Sequence, residues 1–222
     1  MLLELDAGER DDETEALYAQ FDLLNIACGG HAGDAASMAR VLDACARLGI
    51  RAGAHPSYPD RAHFGRRTLE IDHTALEASL TQQCAALRAL AEQRGLTIEH
   101  VKPHGALYHD ANASRALADV VVNGVIAALG MVTMIGPPAG ALRDSARMHG
   151  MPYLREGFAD RGTRADGTLI PRDQPGALIT DAAAASARAA ALGSSSDALC
   201  VHGDTPNSLA IARAVRAALG TR

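Results

Sequence analysis

The sequence predicts an α/β fold, a parallel barrel of about seven strand-helix units with its site at one mouth. Three observations carry this reading. Short apolar runs, too isolated to pair as antiparallel hairpins, alternate along the chain with segments whose apolar residues recur at helical spacing. Polar residues follow nearly every apolar run, whereas an open doubly wound sheet gathers them at one switch point. Apolar residues make up 48% of the 222 residues but aromatics only 3%, with no Trp, so the core must come from small side chains that let helices pack closely on a sheet. A single barrel domain over 1–222 is expected.

Met1 to Leu5 reads as a first strand ending at Asp6, and the acidic run through Glu15 as a solvated face that can open a helix. Leu23 to Ala27 is a second strand running into Cys28-Gly29-Gly30-His31-Ala32-Gly33-Asp34. Asp34 caps a helix whose Met38, Val41, Leu42, Cys45 and Leu48 form one stripe, closed by Gly49. Ile50 to Ala54 is a third strand, followed by a long loop carrying His55, Tyr58, Asp60, Phe64, Arg66 and Arg67. Thr74-x-x-Glu77 resembles a capping box ahead of Leu76, Leu80, Cys84 and Leu87, with the helix running up to Gly95.

Ile98 to Val101 is a buried strand that delivers Lys102, His104 and Tyr108 to one point. Pro103 biases Lys102 toward extended backbone, and Gly105 then lets the chain turn. Ser114 to Leu129 is a helix, Met131 to Ile135 a strand, and Ala139 to His149 a helix behind Pro137-Pro138. Tyr153 to Glu156 leads into Phe158-Ala159-Asp160-Arg161 and a polar excursion to Pro171-Arg172. An Ala-rich helical segment from Asp181 to Leu192 precedes a strand that ends at His202. Thr205-Pro206 caps a last helix with Leu209, Ala212, Val215 and Leu219 inward.

The formal charge of -5 leaves no basic surface for nucleic acid. No G-x-G-x-x-G follows the first strand and no G-x-x-x-x-G-K-[ST] is present, so neither a dinucleotide site nor a phosphate loop is supported. Cys28, Cys45, Cys84 and Cys200 show no C-x-x-C and no paired zinc spacing, which reads as reduced thiols in a cytoplasmic protein. The N-terminus lacks a basic n-region and no apolar run is long enough to span a bilayer, so neither secretion nor membrane insertion is expected.

Several blocks also carry a family resemblance. Asn25-Ile26-Ala27-Cys28-Gly29 with His31-Ala32-Gly33-Asp34, Gly53 to Asp60, Phe64-Gly65-Arg66-Arg67 and His100 to Tyr108 are four of them. Phe158-Ala159-Asp160-Arg161, Asp166-Gly167 with Pro171-Arg172, and Val201 to Pro206 follow in the same order. Together they resemble the A-type subunits of 5-oxoprolinase, the LamB/YcsF-type family, over almost the whole chain. The resemblance implies a distorted (β/α) barrel similar to the glycoside hydrolase/deacetylase fold. It also implies a part in ATP-dependent hydrolysis of 5-oxoproline to L-glutamate, with two partner subunits that handle ATP. Glu4 stands where the family usually has Asn, Gly30 where it has Phe and His63 where it has Gly. The connections after Asp6 and between Arg172 and Cys200 are also shorter, changes that bear on substrate identity and partner docking.

Opening a lactam requires a base for water, stabilisation of an oxyanion and protonation of the leaving nitrogen. Asp6, His31, His55, Lys102 and His104 supply that chemistry, with Asp6 expected as base, Lys102 as electrostatic stabiliser and His104 or His31 as proton donor. Asn25, Tyr58, Arg66, Tyr108, Arg161, Arg172 and His202 are the candidates for holding substrate, the arginines because a guanidinium offers a fixed fork to a carboxylate or phosphate. A strand-end His is as readily a structural hydrogen-bonding group, and an Arg as readily a loop-fixing salt bridge. Cys28 before Gly29-Gly30 invites a nucleophile reading but also suits packing. Glu156 and Asp204 are further candidates, the latter to orient His202 or cap the last helix. A divalent metal held by Asp6 with His31 and His55 or His104 would instead suit a metal-dependent deacetylase, though no H-x-x-x-H or H-E-x-x-H supports it. A non-catalytic role in binding is the third reading. Replacing Lys102 by Met is expected to remove a charge at little loss of stability.

Overall fold

The computed structural model describes residues 1–164, 168–172 and 174–220. Among them, β1 (Leu2–Ala7), β2 (Leu23–Ala27), β3 (Arg51–His55), β4 (Ile98–Val101), β5 (Thr133–Gly136), β6 (Tyr153–Phe158) and β7 (Ala198–Cys200) form a closed parallel barrel in chain order. Closure comes from Leu2, Leu3 and Glu4 pairing with Ala198, Leu199 and Cys200. The connections carry α1 (Glu15–Tyr18), α2 (Ala35–Leu48), α3 (His73–Glu92), α4 (Gly105–Ala113), α5 (Arg115–Leu129), α6 (Ala141–Met148), α7 (Ala182–Leu192) and α8 (Ser208–Leu219). No helix of the described residues is long and apolar enough to cross a membrane.

Alternation along the strands divides the buried residues into two populations. Leu3, Leu5, Leu24, Ile26, Ala52, Ala54, Val101, Met134 and Leu199 join one apolar cluster with helix residues such as Val41, Leu42, Leu80, Leu87, Val121, Val125 and Ile211. Their neighbours Glu4, Asp6, Asn25, His55, His100, Glu156 and Cys200 are equally buried, yet they fill the barrel interior. The apolar shell between sheet and helices therefore holds the fold, at about 1.5–3 kcal/mol for each fully buried large aliphatic side chain. The interior is left for polar groups.

β4 keeps to this division only through an irregularity. Ala52 pairs with Ile98, but Gly53 pairs with His100, so Glu99 is an extra residue bulged from the ladder. Without it, strict alternation from the outward Ile98 would turn His100 and Lys102 away from the interior. Gly53 makes room opposite: a Cβ there would lie 2.2 Å from the His100 ring.

Several local expectations change. Asp72, not Thr74, caps α3, because its carboxylate accepts from the amides of Thr74 and Ala75. The last helix starts at Ser208 behind Asn207 in the left-handed region, with no side-chain cap, since the Thr205 hydroxyl is engaged by Asp160 at 2.5 Å. The helix after Pro137-Pro138 is shorter than the expected 139–149, spanning Ala141–Met148. α4 is an addition to the expected elements. It begins directly after His104, where Gly105 has φ +57 and a Cβ would lie 2.5 Å from the Gly65 carbonyl. The acidic segment is also not a uniformly solvated face. Glu13 accepts from the amides of Gly8 at 2.7 Å, Glu9 at 3.1 Å and Arg10 at 3.0 Å, and from the Tyr18 hydroxyl at 2.5 Å.

The contact between Gly53 and His100 generates a prediction. Gly53→Ala forces the His100 ring or β3 to shift inside a packed barrel, and should lower unfolding free energy by about 1–3 kcal/mol in urea titration. An unchanged midpoint would show that the ring has space to swing aside.

Candidate active site

The carboxyl ends of β1, β3 and β4 and the loops beyond β6 and β7 surround a cavity of about 830 Å³. Asp6, Glu9, His55, Lys102 and His104 line it, together with Arg66, Tyr108, Phe158, Arg161, Arg172 and His202. This is the face where a parallel barrel presents its strand ends.

Lys102 occupies its floor. The ammonium lies 2.9 Å from Asp6 Oδ1, 2.6 Å from Glu156 Oε1, 3.7 Å from Glu4 Oε1 and 3.3 Å from Cys200 Sγ. Burial alone would favour the neutral amine, but Asp6, Glu156 and Glu4 hold the lysine well above its ordinary range. Burial pushes the Glu4 carboxyl up, against the pull of Lys102 and with the help of Glu156 and Asp6. The Cys200 thiol is likewise raised by burial. Asn25 donates to both Glu4 Oε2 at 2.8 Å and Asp6 Oδ1 at 2.9 Å, tying the two inward residues of β1 together.

Asp6 extends this network to the histidines. Its Oδ2 is 3.4 Å from His55 Nε2, and despite burial the charges of His55 and Lys102 keep Asp6 well below the ordinary carboxylate range. His55 Nδ1 faces the Lys102 carbonyl at 2.7 Å and His104 Nε2 the Phe64 carbonyl at 2.9 Å. A carbonyl only accepts, so both nitrogens carry protons. The opposite nitrogens, His55 Nε2 and His104 Nδ1, then face each other at 3.0 Å. Burial opposes charge on His55, but Asp6 outweighs it and its pKa is raised. Burial lowers His104 and takes His31 down to about 3. Among these three imidazoles His55 alone is shifted upward, while His104 and His31, the two expected as proton donor, are shifted down.

Glu9 completes the cluster. Its Oε1 lies 2.9 Å from His31 Nε2, 3.2 Å from His104 Nδ1 and 3.7 Å from His55 Nε2. Burial would raise this carboxyl, but its close contacts with His104 and His31 hold it well below its usual range. The carboxylate among the histidines is thus Glu9, not Asp6, and Glu9, His31, His55 and His104 are the residues placed to hold a metal ion.

The mouth is cationic. Arg66 and Arg172 share Asp204 at 3.0 and 2.7 Å, and Arg161 and Arg164 line the same opening. Arg161 is spent on the loop itself, donating to the carbonyls of Ala177 at 3.1 Å and Ile170 at 2.7 Å. Asp204 does not orient His202. Asp160 does, accepting from its Nδ1 and its amide, both at 2.9 Å.

The structure thus brings Asp6, His55, Lys102, His104, Arg66, Tyr108, Arg161, Arg172 and His202 to one cavity, and places three other candidates elsewhere. Tyr58 is buried with its hydroxyl on Asp110 at 3.0 Å, Asn25 lies beneath the floor, and His31 stacks behind His104 at 3.6 Å. Cys28 is packed in the apolar cluster beside Cys84 and is not among the residues lining the cavity. Asp166 and Gly167 lie outside the described residues. Sequence reasoning missed Glu9, whose only signal was its place two residues past a strand end, and gave Glu4 no chemical part.

A profile of the LamB/YcsF family matches residues 6–222. The chain is 42% identical over 221 residues to the A-type subunit of 5-oxoprolinase from Streptomyces griseus subsp. griseus, covering 93% of this chain and 88% of that one. It is 41% identical over 206 residues to the corresponding 5-oxoprolinase subunit of Chloroflexus aggregans, covering 86% and 82%. A crystal structure of a lactam utilization protein from Thermus thermophilus is similar over 99% of this chain and 95% of that one, with TM-score 0.90 and 32% identity.

The Asp160 network sets a pH dependence of stability. Burial would raise this carboxyl, but the His202 charge and hydrogen bonds from His202 and Thr205 hold it below the ordinary Asp value of 3.8. Its folded pKa is therefore depressed, so its stabilisation is present above the unfolded pKa and is lost as pH falls through the folded one. Asp160→Ala should lower unfolding free energy by about 2–3 kcal/mol at neutral pH. Denaturant titrations of the two chains should converge toward acid; a difference constant down to about pH 2.5, roughly a unit and a half below an ordinary Asp, would show that the carboxylate charge contributes nothing.

Proposed function

We propose, from the premise that this chain belongs to the LamB/YcsF family, that it is the lactam-opening subunit of a 5-oxoprolinase. It would convert 5-oxoproline to L-glutamate together with two partner subunits that use ATP. The observation that carries the reading is the chain Lys102, Asp6, His55 on the floor of a cavity whose mouth is lined by arginines. The names of its relatives and of its structural neighbour support the substrate class.

In this mechanism the substrate carboxylate meets Arg66 and Arg172 at the mouth, where guanidinium forks suit it. The ring carbonyl points down toward Lys102. That ammonium is already fixed by surrounding acceptors, so it stabilises the developing oxyanion without reorganising. Asp6 takes a proton from the attacking water, the ring C–N bond breaks, and His55 supplies the proton to the leaving nitrogen. A carboxylate held as low as Asp6 is a weak base, which suits an amide already activated elsewhere better than a free one. That is the role assigned to ATP on the partner subunits.

Reconstitution with both partner subunits and ATP tests the reading through glutamate release from 5-oxoproline. A fully folded complex that releases none would overturn it. Lys102→Met should lower turnover on the order of a hundredfold or more. It will not spare stability, contrary to the expectation from sequence: Asp6, Glu4 and Glu156 lose their cation, and breaking a buried pair costs about 3–5 kcal/mol. Adding Glu4→Gln and Glu156→Gln should restore much of that stability and none of the turnover. Recovery of both together would mean that Lys102 is only structural.

A further inference from the structure

We propose that Glu9, His55 and His104 form a binding site for one divalent transition-metal ion, with His31 as the residue that positions Glu9. The proposal does not rest on the lactam reading, because binding is measured without substrate; an ion here takes the place of the proton on His55 Nε2, so the metal-loaded site and His55 as proton donor exclude one another.

Three geometric facts carry it. The first is where protons cannot be. Carbonyls of Lys102 and Phe64 fix the protons of His55 on Nδ1 and of His104 on Nε2, which leaves the lone pairs of His55 Nε2 and His104 Nδ1 aimed at each other and at Glu9 Oε1. Two lone pairs and a carboxylate oxygen at this range require a cation between them, either one shared proton or a metal. Carbonyl acceptors on the far ring nitrogens are also the usual outer support of metal-bound histidines.

The second is size. The three donor atoms are separated by 3.0, 3.2 and 3.7 Å. A circle through them has a radius of about 1.9 Å, just inside the metal–ligand distance of about 2.0–2.1 Å for nitrogen and carboxylate oxygen. An ion slightly above their plane would therefore reach all three with no donor atom displaced, leaving its other positions toward the cavity that Asp6 also lines.

The third is ring orientation, which selects among the histidines. A metal lies near the plane of each imidazole that binds it. The His31 and His104 rings are stacked, 3.6 Å apart and 1° from parallel, so an ion in the plane of one is far out of the plane of the other. His55 stands at 88° to both and is compatible with either. Only His104 among the stacked pair also faces the lone pair of His55, so His31 is left to donate from Nε2 to Glu9 at 2.9 Å. Two histidines and one carboxylate on one side of an ion suit Fe²⁺, Mn²⁺, Co²⁺ or Zn²⁺ rather than Mg²⁺ or Ca²⁺, which prefer all-oxygen sites.

The test uses the full chain, stripped with a chelator and dialysed against Zn²⁺, Mn²⁺ or Co²⁺, with metal counted per chain. One ion per chain is expected, with a visible ligand-field spectrum for Co²⁺. Glu9→Gln and His104→Ala should each weaken binding by about tenfold or more, His31→Ala by less than His104→Ala, and the exposed His63→Ala not at all. A readout without substitutions guards against misfolding. Mn²⁺ should broaden the imidazole resonances of His55 and His104 most strongly in the unsubstituted chain, with His149, at the carboxyl end of α6 and the opposite end of the barrel, far less affected. Failure of all three ions to bind stoichiometrically, or broadening confined to surface histidines, would overturn the proposal and leave a shared proton as the cation of the cluster.

Discussion

An ammonium group removed from water is unfavourable by several kcal/mol unless anions and acceptors surround it, and the Lys102 nitrogen finds its partners on three other strands. Asp6 and Glu4 come from β1, Glu156 from β6 and Cys200 from β7. Each partner is inward-facing only because its strand holds the correct register, so the ion cluster and the closure of the barrel specify one another. The surrounding apolar shell supplies the stability that lets the interior remain polar. The ratio of charges matters as much as their number: with three carboxyls around one ammonium, burial and the neighbouring Glu156 and Asp6 push the Glu4 carboxyl up despite Lys102.

The reactive groups are held in position by short, local devices around this cluster. The Glu99 bulge turns His100 and Lys102 inward, and the extended Lys102 carries on to accept from His55 through its own carbonyl. Gly105 lets α4 begin against Gly65, in the same loop whose Phe64 carbonyl fixes the tautomer of His104. Glu13 gathers three successive amides and so fixes the turn that brings Glu9 onto the histidines. The mouth is built differently, from a long excursion after β6 that Arg161 staples to its own carbonyls. Strand ends thus position Asp6, His55 and Lys102, while the arginines of the mouth come from two loops, Arg66 after β3 and Arg161, Arg164 and Arg172 after β6.

Much of the fold was legible in the chain itself. Apolar runs at strand spacing, helical stripes closed by Gly49 and Gly95, and the cap at Asp34 reflect backbone preferences and burial within a few residues, which sequence encodes directly. The polar residues at strand ends, Asp6, His55, Lys102 and His104, could be assigned to one mouth because parallel strands in a closed barrel all end on the same face. What sequence could not decide is anything set by contacts between distant segments. Whether Glu9 is solvated or clasped by three histidines depends on a turn folded by Glu13. Whether Asp160 or Asp204 holds His202 depends on how the last two loops cross. Whether Tyr58 reaches substrate depends on Asp110 lying beneath it. Residue identity determined the period of each element and the chemistry available at its end; the tertiary structure alone decided which proton, charge or lone pair each group faces, because those distances are fixed by packing between strands that the sequence lists far apart.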